Sequence, residues 1–188
     1  MPPTPRGTLA EGRLSLFAKG ERVKGQDILV MLKLAANPGK AWSYPKLAQE
    51  LRMSVSETHS AVARCAQAHL YNPHSRSPLN SSLLEFLVHG IRYVFPATPG
   101  PIVNGLYTSF AAPPLSQDLR FEGSEAPVMP FLDGPHRGPG IKPIYPTAPE
   151  AAWDDPALYN LLALVDAIRT GRSRERKLAQ AKLTEALS

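Results

Sequence analysis

Proline is the residue that most constrains how this chain can fold. Thirteen of its twenty prolines lie between Pro96 and Pro156. Because proline lacks a backbone N–H and its ring clashes with the preceding turn, long uninterrupted helices are not expected in that stretch.

The 188 residues suit one domain, or a small domain with an appendage, and are too few for a TIM barrel. The longest strictly apolar runs, such as residues 28–32, have five residues, so no membrane-spanning helix of about 20 apolar residues is expected.

Two features bear on where the protein works. The N-terminal stretch Met-Pro-Pro-Thr-Pro-Arg lacks the apolar segment of a secretory signal. The chain has one cysteine, Cys65, which cannot form an internal disulfide. Together these features predict a reducing, cytoplasmic setting and no membrane association.

Charge is unevenly distributed along the chain. Residues 1–80 carry eleven Lys and Arg against five Asp and Glu, a net +6, whereas residues 81–170 carry −4 and residues 171–188 carry +3. A basic first part and a basic tail around an acidic middle are consistent with a polyanion that binds the ends. A charge excess of this size is equally consistent with a solvated surface.

Composition divides the chain into four regions. Residues 1–22 are expected to be a flexible basic arm, and residues 23–112 a mainly helical domain. Residues 113–150 are expected to be a Pro/Gly-rich segment that wraps the core, and residues 151–188 to form two C-terminal helices. The predicted fold class is therefore mainly α with a small β hairpin.

Apolar periodicity and capping residues predict three consecutive helices, near residues 24–36, 44–51 and 56–69. The first is apolar on nearly all sides, so it is expected to be central. Ser54 and Glu57, three residues apart, have the spacing of a capping box at the start of the third helix.

The third helix is predicted to have two different faces. At 100° per residue, its small and apolar face consists of Val55, Thr58, Val62, Cys65, Ala66 and His69, with His59 at the margin. Its polar face consists of Ser56, Glu57, Ser60, Arg64 and Gln67. Short polar side chains let a helix enter the major groove of DNA, where arginine can pair with guanine and glutamine with adenine. The alternative is an ordinary solvent-exposed face, which is the commoner outcome for an amphipathic helix taken alone.

The segment from Trp42 to Ser56 contains the pattern Leu-Ala-x-x-Leu-x-Met-Ser at residues 47–54 and is followed by Val62, Arg64 and Leu70. It resembles the helix-turn-helix of winged-helix transcriptional regulators, most closely the MarR-like group. The resemblance covers about residues 24–78 and implies a bacterial regulator that binds DNA as a two-fold dimer. Residues 70–78 depart from the family pattern, because they are too short and proline-broken for a normal wing. Either the wing is reduced or later strands supply it.

Later segments complete the expected architecture. A helix is predicted over residues 79–90, followed by a strand at 91–95 that pairs with 102–112. Asp155 and Pro156 predict the start of a helix over 156–169, and a last helix is expected over 173–187. The dimer contact is expected on the apolar helical surface of 24–36, 83–90 or 157–168.

The sequence gives little support to catalysis. It contains no Gly-x-Ser-x-Gly, no phosphate-binding loop and no His-Glu-x-x-His, so no enzyme activity and no cofactor are predicted. Cys65 and His69 have the i, i+4 spacing of a ligand pair, but two ligands do not make a structural zinc site, so no metal is predicted.

Two functions remain. The first is a sequence-specific regulator that binds double-stranded DNA as a homodimer and reads the major groove with residues 56–69. Its expected base contacts are Ser56, Ser60, Arg64 and Gln67. Its expected phosphate contacts are Lys40, Lys46, Arg52, Ser54 and Arg76.

The alternative is an adaptor or antitoxin-like protein that uses the same fold to hold a protein partner. The Pro-rich segment or the C-terminal helices would contact that partner, and such a protein can also be autoregulatory.

Overall fold

The computed structural model describes residues 22–119 and 126–188, and this part of the chain is mainly helical. The basic arm expected at residues 1–22 lies outside the described residues, apart from Arg22. The helices are α1 (Gly25–Ala35), α2 (Tyr44–Glu50), α3 (Val55–Gln67), α4 (Asn80–Glu85), α5 (Ile91–Val94), α6 (Ala148–Asp154), α7 (Pro156–Thr170) and α8 (Ser173–Leu187). The strands are β1 (Tyr71–Asn72), β2 (Ser77–Pro78), β3 (Pro99–Tyr107), β4 (Val128–Pro130) and β5 (His136–Ile141).

Helix α1 lies at the centre of the structure, as its apolar sequence predicts. Residues 28–32 are fully buried, and helices α3 and α7 pack against α1. The chain leaves α1 through a turn in which Gly39 has a φ of 73°, a left-handed conformation that glycine adopts at low cost. The predicted bounds of α1, α2 and α3 are confirmed to within two residues.

Helices α2 and α3 are joined by a tight turn. The N–H of Met53 donates to the carbonyl of Ala48 at 2.9 Å, and Arg52 adopts a φ of 55°. Leu47, Ala48 and Leu51 are buried beneath the turn. The small Ala48 side chain lets the two helices approach closely.

A short antiparallel hairpin follows α3. β1 and β2 pair over two residues each, and the side-chain oxygen of Asn72 accepts hydrogen bonds from the backbone N–H groups of His74 and Ser75. The indole N–H of Trp42 donates to the carbonyl of Arg76 at 2.9 Å and ties the hairpin to the segment that precedes α2. A short hairpin is thus present at residues 70–78, and further strands are present later in the chain.

The strand predicted at residues 91–95 is wrong. These residues continue a helical segment that runs from α4 through a π-helical turn at Phe86–Gly90 into α5. Leu83, Leu87 and Ile91 are spaced i, i+4, i+8, and all three are fully buried. Burial of this helical stripe outweighs the β propensity of Ile91 and its neighbours.

The predicted pairing of 91–95 with 102–112 is therefore also wrong, and residues 113–150 contain strands instead of only a wrapping loop. β3 pairs antiparallel with both β4 and β5, and β4 pairs with β5 in parallel through Val128 and Gly140. Glycines permit this close packing: a Cβ on Gly105 would lie 2.2 Å from the carbonyl oxygen of Met129, and one on Gly138 would lie 1.9 Å from that of Ala126.

The C-terminal region forms three helices, α6, α7 and α8, where the sequence predicts two. The Asp155 carboxylate accepts hydrogen bonds from the N–H groups of Ala157 and Leu158, so the predicted cap of α7 is confirmed. Residues 161–169 of α7 are buried against α1, α5 and α8 in one continuous core. Because α1 and α7 are covered within the protomer, two of the three surfaces expected to form a dimer contact are not available for it.

A buried polar cluster joins the β3 region to α7. The Thr108 hydroxyl donates to Asp166 at 2.7 Å, and Arg169 forms an ion pair with the same carboxylate at 2.7 Å. Arg169 also donates to the carbonyls of Phe95 and Lys142. The buried polar atoms of these side chains all have hydrogen-bond partners, so the cluster stabilises the packing.

Within the described residues, no helix is both long and apolar enough to cross a bilayer.

Candidate nucleic-acid interface

The N-terminus of α3 is fixed by the capping box that the sequence predicts. The N–H of Glu57 donates to the Ser54 hydroxyl at 3.1 Å, and the N–H of Ser54 donates to the Glu57 carboxylate at 2.9 Å. The hydrogen bond from the Ser54 backbone N–H lowers the pKa of Glu57. A carboxylate thus already lies beside Ser54, at the position where the sequence predicts a DNA phosphate.

One face of α3 points away from the core. We call it the outer stripe, and it consists of Ser56, His59, Ser60, Ala63 and Gln67. Ser60 is half-buried and the other four are exposed. Their spacing of i, i+3, i+4, i+7 and i+11 places them along one side of the helix. No residue in the outer stripe is large and apolar, so the stripe presents hydroxyl, imidazole and amide groups on a shallow surface.

Arg64 does not belong to this surface, and the prediction that it faces outward is wrong. It is 5% exposed, and its guanidinium is held by the Asp27 carboxylate through contacts of 2.9 Å from Nε and 2.6 Å from Nη2. Asp27 is fully buried in the first turn of α1 and also accepts from the N–H of Lys24 at 2.8 Å. Arg64 therefore joins α3 to α1. Asp27 is the only acidic residue of α1, which is otherwise mainly apolar, and this was the sequence signal for the pair.

Three other residues of α3 and its C-terminal end differ from the predicted faces. Val55 and His69, assigned to the core face, are exposed. His59, predicted at the margin of the small and apolar face, is exposed in the outer stripe, with its ring 5.0 Å from that of Tyr44. Tyr44 positions His59, which makes this imidazole an additional candidate for hydrogen bonding to a ligand.

Three exposed basic residues lie on the elements that precede and follow α3. Lys46 is exposed on α2, and Lys40 is exposed in the segment that precedes it. Arg76 is exposed on the β1–β2 hairpin, where its guanidinium lies 4.6 Å from the centre of the Trp42 ring and Nη2 donates to the Trp42 carbonyl at 3.4 Å. An open cleft of about 540 Å³ between the end of α1 and the hairpin is lined by Lys40, Trp42 and Arg76.

Arg52 has a different environment from the other three cations. Its Nη2 lies 2.7 Å from the Asp154 carboxylate, and both side chains are about half exposed. Asp154 therefore compensates the positive charge that the sequence assigns to a phosphate contact.

The segment before α6 contacts the α2–α3 turn from the other side. The Tyr145 hydroxyl donates to Glu57 at 3.1 Å, and the Thr147 hydroxyl donates to the Leu51 carbonyl at 2.7 Å. These contacts touch the N-terminal end of α3 only. The exposure of Ser56, His59 and Gln67 shows that the described C-terminal segments leave the outer stripe uncovered.

The described residues contain no group of three or more His, Cys, Asp or Glu placed to hold a metal. Cys65 is buried and its Sγ lies 3.6 Å from the Asp27 carbonyl oxygen, whereas His69 is exposed beyond the end of α3. Burial raises the pKa of the Cys65 thiol to about 12, so the thiol stays protonated at neutral pH. Cys65 and His69, which have the spacing of a ligand pair, are thus divided between the core and the surface.

Comparisons of this chain with protein-family models, with curated proteins and with solved structures found no match.

Proposed function

We propose that the protein is a sequence-specific DNA-binding regulator of the winged helix-turn-helix type, in which α3 enters the major groove. The observation that carries the proposal is the outer stripe, a polar helix face without large apolar residues that is open to solvent. The major groove is about 12 Å wide and admits one helix whose side chains are short and polar.

The arrangement around α3 supports the same proposal. Three helices are followed by a hairpin, which is the order of elements in a winged helix. In this arrangement Lys46 and Arg76 contact phosphates on either side of the groove, and Lys40 extends the basic surface next to the hairpin. Arg52 contributes less, because Asp154 is already paired with it.

The residues proposed to contact base edges differ from those expected from sequence. Ser56, Ser60 and Gln67 remain, Arg64 is removed because it is buried, and His59 is added because it is exposed on the same stripe. Gln67 is the strongest candidate for base discrimination, since a glutamine amide can form two hydrogen bonds to adenine.

A two-fold dimer remains part of the proposal, because helix-turn-helix proteins bind paired half-sites about one helical turn apart. Of the three helical surfaces considered, the one at residues 83–90 is not covered by the core along its whole length and is followed directly by Tyr93 and Val94, which are 73% and 51% exposed. The proposed dimer contact therefore involves the α4–α5 segment.

The proposal is tested by selecting duplexes from a random-sequence pool and measuring binding to the selected duplex and to a random one. Gln67→Ala should reduce the preference for the selected duplex by about 5- to 150-fold, the effect of removing one bidentate pair with a base. Lys46→Ala should weaken binding to both duplexes by the same factor.

Gln117→Ala is the matched control, because Gln117 is an exposed glutamine outside the proposed interface. It should change neither affinity. The proposal fails if no duplex binds at low salt, or if Gln67→Ala weakens binding to the selected and random duplexes equally.

A further inference from the structure

A groove lies on the side of the structure formed by the β4–β5 turn and α6. It has a volume of about 470 Å³ and is lined by Phe131, Leu132 and Trp153 together with Pro130, Pro146 and Pro149. We call it the aromatic groove. It is distinct from the outer stripe, and among its lining residues only Arg52 was expected to contact DNA.

Large apolar side chains of the aromatic groove are open to solvent. Leu132 is 88% exposed and Trp153 is 55% exposed. The Phe131 ring lies 5.7 Å from the Trp153 ring, with an angle of 39° between the planes. Exposed apolar residues grouped in this way mark a binding surface more often than isolated ones do. Two neighbouring aromatic faces provide a surface onto which proline rings pack.

The rim of the aromatic groove is acidic. It carries Asp133, Glu150 and Asp154, against the single cation Arg52. Asp154 is paired with Arg52, whereas no ion pair within the described part of the chain involves Asp133 or Glu150. Two carboxylates that form no ion pair among the described residues repel the phosphates of a nucleic acid and attract a basic group. The occupant that complements this charge is therefore cationic.

We propose that the aromatic groove binds a proline-rich peptide segment of a partner protein that carries arginine. Proline-rich segments are already extended in the polyproline II conformation, so they lose little conformational entropy when they dock in an aromatic-lined groove. Their rings pack against Phe131 and Trp153, and the arginine pairs with Asp133 or Glu150. This activity does not depend on the proposed binding of DNA.

The test uses three fluorescein-labelled peptides, (Pro-Pro-Arg)3, (Pro-Pro-Glu)3 and (Ala-Ala-Arg)3, titrated with the full chain and followed by anisotropy. The first peptide should bind at least about tenfold more tightly than either of the others, because only it supplies both proline and arginine. Trp153→Ala should weaken its binding by about tenfold or more, as truncation of a central aromatic anchor does.

Two further variants make the result specific. The double variant Asp133→Asn/Glu150→Gln should lose the preference for (Pro-Pro-Arg)3 over (Pro-Pro-Glu)3 without a change in the circular-dichroism spectrum. Ile102→Ala, which truncates a large exposed apolar residue outside the aromatic groove, should leave the affinity for (Pro-Pro-Arg)3 unchanged.

Three results would overturn the proposal. These are the absence of saturable binding to (Pro-Pro-Arg)3, equal binding of (Ala-Ala-Arg)3, and an unchanged affinity of folded Trp153→Ala for (Pro-Pro-Arg)3. Loss of duplex binding by Trp153→Ala with no effect on the peptide would assign the aromatic groove to the nucleic-acid interface instead. Failure of duplex binding in the wild-type chain would leave the peptide result standing, so the two proposals are tested separately.

Discussion

Replacement of Arg64 by alanine tests whether this arginine stabilises the fold from a buried position or contacts DNA from an exposed one. The variant leaves the Asp27 carboxylate fully buried without the guanidinium that lies 2.6 Å and 2.9 Å from its two oxygens. A buried charge that loses its partner is strongly destabilising, because the low-dielectric interior does not replace the missing hydrogen bonds.

The expected loss of stability is about 3–5 kcal/mol, the range for breaking a buried ion pair by removal of one partner. For a chain of this size, each kcal/mol corresponds to about 2–4 °C in Tm, so Tm should fall by roughly 6–20 °C. An exposed arginine on a DNA-contacting face would instead change the stability by no more than about 0.5 kcal/mol.

The assay is urea unfolding of wild type, Arg64→Ala, Asp27→Ala and the double variant, followed by circular dichroism. The double variant should be more stable than the sum of the single losses predicts, with a coupling energy of about 0.5–3 kcal/mol, because neither charge is then left alone. Lys177→Ala, which removes an exposed cation on α8, is the control and should be close to wild type. A loss below about 0.5 kcal/mol for Arg64→Ala would refute the reasoning.

Two further predictions concern titratable groups. Because burial raises the pKa of Cys65 to about 12, its thiol should not react with a disulfide reagent at pH 8 until the protein unfolds; rapid labelling of the folded chain, measured by absorbance, would contradict this. For Asp155, burial alone raises the pKa, but hydrogen bonds from Lys33, Leu158 and Asn37 outweigh it, so the pKa in the folded state is lowered. The stabilisation of wild type over Asp155→Asn should therefore be complete above about pH 4, the unfolded-state pKa, and disappear as the pH falls through the lower folded-state pKa. Thermal melts of both proteins from pH 7 to pH 2 test this, and a stability difference that grows towards low pH would show that the direction is wrong.

The helices near α3 were predictable because their signals are local. Apolar periodicity, the capping box of Ser54 and Glu57, and Pro45 in the first turn of α2 all lie within a few residues of the elements they specify. The same holds for α7, where Asp155 and Pro156 mark the start of the helix.

The orientation of Arg64 depended on a distant partner. Helical periodicity placed it among polar residues, yet its carboxylate partner lies 37 positions earlier in the chain. Local amphipathicity carries no information about such a pair, so one of the four expected base contacts was assigned to the wrong side of α3.

The sheet formed by β3, β4 and β5 was the least predictable part of the fold. Its strands are rich in glycine and proline and lack the alternation of a half-buried strand. Close approach at Gly105 and Gly138 holds the strands together, and this property becomes visible only when the neighbouring backbone is known.

The salt dependence of duplex binding is the most direct test of the central claim. This claim is that basic residues on α2 and on the β1–β2 hairpin contact phosphates while α3 lies in the major groove. A plot of log Kobs against log salt concentration should have a negative slope, and Lys46→Ala/Arg76→Ala should make it shallower by about 1.8, or about 0.9 for each phosphate that is no longer neutralised. Arg174→Ala/Lys177→Ala removes the same charge from exposed positions on α8 and should leave the slope unchanged. Equal slopes for wild type and Lys46→Ala/Arg76→Ala, or the same reduction in both double variants, would contradict the account.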